Sequence, residues 1–148
     1  DVVVVDLGAV VDGYCSDMTR TFYIGSTPPK EVEEAYKLVL EAKNLAEESA
    51  KPWALSSSLD ETARNRIAAR GFGDYFVHNS GHGIGIDVHE PPRLSPTSRE
   101  IVQENSVITI EPGIYVPRKF GIRIEDTVLV HRDGVKRLTS APYTLALD

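Results

Sequence analysis

Cysteine occurs once in the chain, at Cys15, so an intrachain disulfide is excluded and a reducing, cytoplasmic setting is expected. No apolar run reaches the length of a membrane span, and no signal peptide opens the sequence, so no membrane partner is expected. Basic charge is not in excess. The 22 Asp and Glu outnumber the 16 Lys and Arg, and the net charge of −6 is spread along the chain, which disfavours nucleic acid as a partner. Arg64, Arg66 and Arg70 have no interleaved aromatics and read as a solvated helix face. An initiator Met is missing as well. The chain begins Asp1-Val2-Val3-Val4-Val5, already inside an apparent buried strand, and reads as a fragment or processed product.

With 41% hydrophobic and 26% charged residues over 148 positions, the chain has the composition of one soluble domain spanning 1–148. Its pattern is α+β. Asp12-Gly13 predicts a tight turn after the valine run, with a return strand over Tyr14 to Ile24 that puts Asp17, Thr19 and Thr21 on one face. Asp6 and Asp17 can then share a face on neighbouring antiparallel strands. Pairing of Asp17 with Arg20 is disfavoured, since the two point to opposite faces. A helix is predicted from Thr27-Pro28 to Pro52, with an apolar stripe of Val32, Ala35, Tyr36, Val39, Ala42 and Ala46. A second runs from the capping-box pattern at Ser58 to Gly71, with Leu59, Ala63 and Ile67 facing the core. After a polar loop over Pro91 to Glu104, strands ending at Glu111 and containing Arg123, Glu125 and Thr127 complete the pattern. Two strand pairs, each delivering two carboxylates, hint at a distant internal repeat. His131 falls in a hydrophilic turn and reads as exposed and without function.

Three of the four histidines lie in Val77 to Glu90, interleaved with glycines at 81, 83 and 85. Those glycines disfavour a helix, so His78 and His82 are not an i, i+4 zinc pair. A glycine on each side of His82 points instead to an extended, crowded backbone, and Pro91-Pro92 are expected to halt any regular element beyond His89. A Gly-rich loop with incidental histidines is the plain alternative. The acids tip the balance: Asp6, Asp17, Glu111 and Glu125 lie on strands that otherwise read as buried. Four buried like charges require neutralisation. Two divalent cations supply matching charge, and oxygen-rich ligation with one imidazole suits Mn, Co, Fe or Zn. Such a pair, about 3.5–4 Å apart, activates water and polarises a carbonyl.

Asp6-Leu7-Gly8-Ala9, Ser16-Asp17-Met18-Thr19-Arg20-Thr21, Gly81-His82-Gly83-Ile84-Gly85, Ile110-Glu111-Pro112-Gly113 and Gly121-Ile122-Arg123-Ile124-Glu125-Asp126 together resemble the pita-bread metallopeptidases. That family includes methionine aminopeptidase, Xaa-Pro aminopeptidase and prolidase, and the Arg-Ile-Glu-Asp motif resembles its proline-peptide branch. The resemblance implies a curved, mostly antiparallel sheet covered by helices. It implies a two-cation site, with Mn or Co favoured: Asp6 and Asp17 on one cation, His82 and Glu111 on the other, Asp17 and Glu125 bridging. Glu111 is implied as proton shuttle, His89 as the histidine that holds the scissile carbonyl and His78 as a second active-site histidine. Arg123 is implied to position substrate or to support a ligand, and Thr19, on Asp17's face, is expected to orient a carboxylate by hydrogen bonding. The implied reaction is attack of activated water on the peptide bond preceding proline. A non-catalytic peptide- or histone-binding module on the same fold is the rival, and the complete ligand set argues against it.

The resemblance departs in one place. A further active-site histidine and about half of the fold precede the first ligand strand in the family, whereas five residues precede Asp6 here. The chain is therefore expected to be the C-terminal portion of a catalytic domain. It is expected to be weakly active or inactive alone, and to self-associate as a homo-oligomer through apolar faces left uncovered.

Overall fold

The opening valine run forms β1 (Val2–Leu7), which pairs antiparallel with β4 (Met18–Ile24) in a register from Val2↔Tyr23 to Leu7↔Met18. Residues 1–147 are described in this computed structural model. The turn at Asp12-Gly13 has φ of 51° and 84°, the positive pair that a tight hairpin requires. The return strand, however, is interrupted. A short ribbon of β2 (Val10–Val11) and β3 (Tyr14–Cys15) closes the tip, and the main ladder resumes only at Met18. Ser16 N bonds back to Ala9 O at 2.8 Å, and a Cβ on Gly8 would lie 2.2 Å from the Ser16 carbonyl oxygen. This close approach takes Asp17 out of the ladder. Nor is β1 buried as expected. Its Asp6 side faces β9 (Phe120–Arg123), while Val3 and Leu7 remain 39% and 53% exposed on the other side.

The first helix, α1 (Lys30–Ser49), starts later than its Thr27-Pro28 signal: Val32 and Glu33 donate to the Pro29 carbonyl, and no side chain caps it. Its predicted apolar stripe is buried throughout, as the 3.6-residue period demands. The same face also buries Lys43 and Glu47, which hydropathy does not anticipate. The second helix, α2 (Ser56–Ala68), begins ahead of the expected cap, because the Ser58 hydroxyl donates back to the Leu55 carbonyl at 2.6 Å. Leu59, Ala63 and Ile67 are fully buried, and the two helices pack on each other.

The second half of the chain forms a five-stranded antiparallel sheet. It contains β5 (Gly81–Gly83), β6 (Glu90–Leu94), β7 (Val107–Ile110), β10 (Asp126–His131) and β11 (Gly134–Arg137), ordered β11-β10-β7-β5-β6. Between β7 and β10 rises the hairpin of β8 (Gly113–Val116) and β9. Pro91 and Pro92 do not halt regular structure. They lie within β6, an edge strand, where a missing N–H is tolerated. Short β12 (Ala146–Leu147) adds to β4 in parallel. The core is the helix stripe packed on Ile108, Ile110, Ile114, Ile122, Ile124 and Val128. Among the described residues, no helix is long and apolar enough to cross a membrane.

Candidate metal centre

Each acid arrives from a strand end. Asp6 is the penultimate residue of β1, Asp17 occupies the break before β4, Glu111 follows β7, and Glu125 lies between β9 and β10. His82 is the middle residue of β5. The crowding inferred around it is real: a Cβ on Gly81 would sit 2.0 Å from Thr109 O, and one on Gly83 would sit 2.2 Å from Pro91 O. Glycine on both sides therefore lets two neighbouring strands close around the imidazole.

The structure brings Asp17, His82 and Glu125 together, with one ligand-type atom from each lying within 4.8 Å of the others. His82 Nδ1 lies 2.9 Å from Gly83 O and, facing a carbonyl, must carry the proton. That directs Nε2 into the cluster, 3.6 Å from Asp17 Oδ2 and 3.3 Å from Glu111 Oε1. Thr19 donates to Glu125 Oε2 at 2.6 Å, and its hydroxyl accepts from Arg123 Nε at 3.1 Å. Asp6 stands at the rim, where its carboxylate takes a bond from Arg123 Nη2, the adjacent positive charge. The imidazole of His89 lies against that of His82, its ring tilted by 57° with the centroids 4.3 Å apart.

Electrostatics show what this arrangement is short of. Burial, then the Glu111 carboxylate, push Glu125 up to about 8, against the lowering effect of the Thr19 hydrogen bond. Burial and then Asp6 raise Asp17 as well, and outweigh the adjacent imidazole. Burial works against the His82 imidazolium, yet hydrogen bonds to Glu111 and Gly83 carry its pKa upward. Asp17 and His82 thus both move up, which a self-contained ion pair would not do. The carboxylates want more positive charge than one histidine supplies. An oxygen-rich set with one correctly protonated imidazole fits a divalent cation.

Two cavities meet at this cluster. The smaller, about 600 Å³, contains Asp6, Asp17, Glu125 and the rim of Gly8 to Val10. The larger, about 1170 Å³, extends past His78, Arg93, Tyr115 and Arg123. His82, His89 and Glu111 line both. His78 lies apart from the acids, on the large-cavity side. Its Nδ1 faces Asn79 O at 2.7 Å and its Nε2 faces the Tyr115 hydroxyl at 3.0 Å, which also takes Arg123 Nη1 at 3.2 Å. Burial lowers the His78 pKa, which favours the neutral ring as acceptor from Tyr115.

Three participants went unseen in the sequence. Tyr115 links Arg123 to His78, and the only hint was the nearby Gly113, where a Cβ would lie 3.0 Å from His78 Nε2. Thr109 receives His82 N at 3.1 Å. Arg64 is not part of a solvated face. It holds Asp60 through two nitrogens and donates to the carbonyls of Phe76 and His78, each at 2.8 Å, so it anchors the histidine segment.

Mostly antiparallel sheets, two packed helices and an acid–histidine cluster at the strand ends are features of an α+β pita-bread fold. The defining pattern of metallopeptidase family M24 matches residues 1–132, and the chain belongs to that family. An Xaa-Pro dipeptidase of Pyrococcus horikoshii is 52% identical over 145 residues, which is 98% of this chain and 41% of that protein. Among solved structures, the prolidase of Pyrococcus horikoshii OT3 superposes with a TM-score of 0.94 at 51% identity, covering 97% of this chain and 41% of that one. The X-Pro aminopeptidase of Thermotoga maritima MSB8 gives 0.94 at 43% identity, over 99% and 42% respectively. The chain spans about 41% of the length of the curated Xaa-Pro dipeptidases it matches.

Proposed function

We propose that this chain carries the cation-binding part of an Xaa-Pro peptidase, a dipeptidase or aminopeptidase, as the C-terminal portion of its catalytic domain. The observation that carries the reading is the convergence of Asp17, His82 and Glu125 from three distant stretches onto one point. With Asp6 and Glu111 beside them, they offer ligands for two divalent cations, Mn or Co by preference. Bound cations of this kind lower the pKa of water and polarise a carbonyl. The protein groups supply the rest. Glu111, which borders both cavities, takes a proton from the attacking water and passes it to the leaving nitrogen. His89, also on both cavities, donates to the oxyanion that develops at the scissile carbonyl. The Arg123–Tyr115–His78 chain lines the larger cavity and orients a peptide with proline after the scissile bond.

A chimera tests this reading. The chain replaces its matching 41% of the Pyrococcus horikoshii prolidase, and metal content and dipeptide hydrolysis are measured. Metal-dependent cleavage confined to dipeptides with proline in second position is expected. His89→Ala should cut kcat by about 10²–10³ with metal content unchanged. A folded chimera that binds peptide but takes up no cation would replace the enzyme by a binding module.

A further inference from the structure

Directly behind Glu125 lies a buried charge cluster that the proposed chemistry does not use. Asp126 is fully buried, and all four of its acceptor positions are filled. Arg20 Nη2 and Thr139 Oγ1 bond to Oδ1 at 2.8 and 2.7 Å, while Lys43 Nζ at 2.6 Å and the Tyr143 hydroxyl bond to Oδ2. Lys43, fully buried on α1, also bonds to Glu47 at 2.5 Å and to the Tyr143 hydroxyl at 3.1 Å. Arg20 is the link to the site. Its Nη1 donates to the main-chain carbonyls of Glu125 at 2.6 Å and Thr19 at 2.9 Å, while Nε and Nη2 hold the carbonyl of Ala141. One planar guanidinium therefore fixes the backbone of both residues whose side chains meet on the opposite side.

Two features separate this cluster from ordinary core packing. Buried ion groups stabilise a core no better than well-packed apolar side chains, so stability alone does not call for one here. In addition, three of its hydrogen-bonding groups, the Thr139 and Tyr143 hydroxyls and the Ala141 carbonyl, come from a single stretch past β11. That stretch lies beyond residues 1–132, the part matching the family pattern. It is tied down by Leu138 N to Thr127 O at 2.9 Å and by β12 on β4, so it runs along β4, which carries Thr19, and β10, which directly follows Glu125. Together with Asp17 it also walls a cavity of about 460 Å³.

We propose that this C-terminal stretch is a strap whose Thr139 and Tyr143 hydroxyls set Asp126 and Arg20, and through them Glu125. Cation binding then depends on a segment that contributes no ligand. Thr139 and Tyr143 are positioning residues, and the inference rests on the metal-centre reading above. Supporting groups around metal ligands commonly change affinity by about 10–100-fold when removed.

The test is titration of the 148-residue chain with Co²⁺ alone, followed by visible absorption and calorimetry, with a thermal melt of every variant. Tyr143→Phe removes only the hydroxyl and keeps the ring that lies 4.6 Å from the Arg20 guanidinium. Thr139→Val removes one donor at equal volume, and Thr139→Ser restores it. Ile67→Val, in the helix core, is the destabilised control. Each single loss of a hydroxyl should weaken Co²⁺ binding about 10-fold, Thr139→Ser should restore it, and Ile67→Val should bind like the parent despite a lower Tm. If Tyr143→Phe does not fold, Thr139→Val decides. Parental affinity in the folded variants overturns the strap. No uptake by the parent chain removes the metal-centre reading and the strap with it, a different result from uptake that every variant matches.

Discussion

Thr19 and Glu125 meet through two bonds across 106 residues of sequence: the Thr19 hydroxyl donates to Glu125 Oε2 at 2.6 Å, and the Thr19 carbonyl accepts Glu125 N at 3.1 Å. Thr19 sits opposite Asp6 in the β1–β4 register, so this contact joins the two acid-bearing strand pairs. Thr19→Val should leave a buried carboxylate oxygen without that donor and weaken Co²⁺ affinity by about 10–100-fold, with Thr19→Ser close to the parent. Equal affinities for Val and Ser would show that the hydroxyl plays no part.

Glu125 gives the cation-free chain a defined pH dependence. Its folded pKa of about 8 lies above an ordinary 4.5, so the folded state binds the extra proton and the associated stability is present at low pH. It is lost as pH rises from about 4.5 through about 8. Raised Asp17 and His82 act in the same direction, whereas the lowered His78 acts in the opposite one. Urea melts of parent and Glu125→Gln across that range isolate the Glu125 share: the variant should lose much of the decline. Parallel curves would remove Glu125 as its source.

Gly83→Ala is a test of the crowded strand. The added Cβ would meet Pro91 O at 2.2 Å, Pro91 C at 2.6 Å and Glu90 O at 2.9 Å, all backbone atoms that cannot swing aside. A loss of about 1–3 kcal/mol is expected from such overpacking, together with weaker Co²⁺ binding as β5 shifts His82. A melt and metal affinity identical to the parent would mean that β6 moves freely.

Arg64→Ala should free Asp60 and the carbonyls of Phe76 and His78. A stability loss of about 1–3 kcal/mol is expected, because buried Asp60 loses its charged partner. Lys in its place should recover little, since an ammonium cannot span both carboxylate oxygens and two carbonyls. NMR of the His78 ring is the direct readout: broadened or shifted resonances are expected, and an unchanged spectrum would mean that the loop holds itself.

What the sequence determined by itself is local or periodic. Helix stripes such as Val32-Ala35-Tyr36-Val39 announce their buried face because apolar residues recur with the turn of the helix. The acids at strand ends and the glycine-flanked His82 were legible for a related reason, since both are costly choices without a ligand or a close neighbour to justify them. Tertiary structure decided the rest. The break at Ser16-Asp17, the edge position that lets Pro91 and Pro92 sit in a strand, and the exposed side of β1 depend on which strand lies next door. Arg64 reads as surface charge in one dimension, and no local pattern marks Arg20 or Lys43 as buried. Their partners, Asp126 for the first two and Asp60 with the Phe76 and His78 carbonyls for the third, become neighbours only after the strands and helices have packed. Burial then gives those contacts a weight that hydropathy cannot assign in advance.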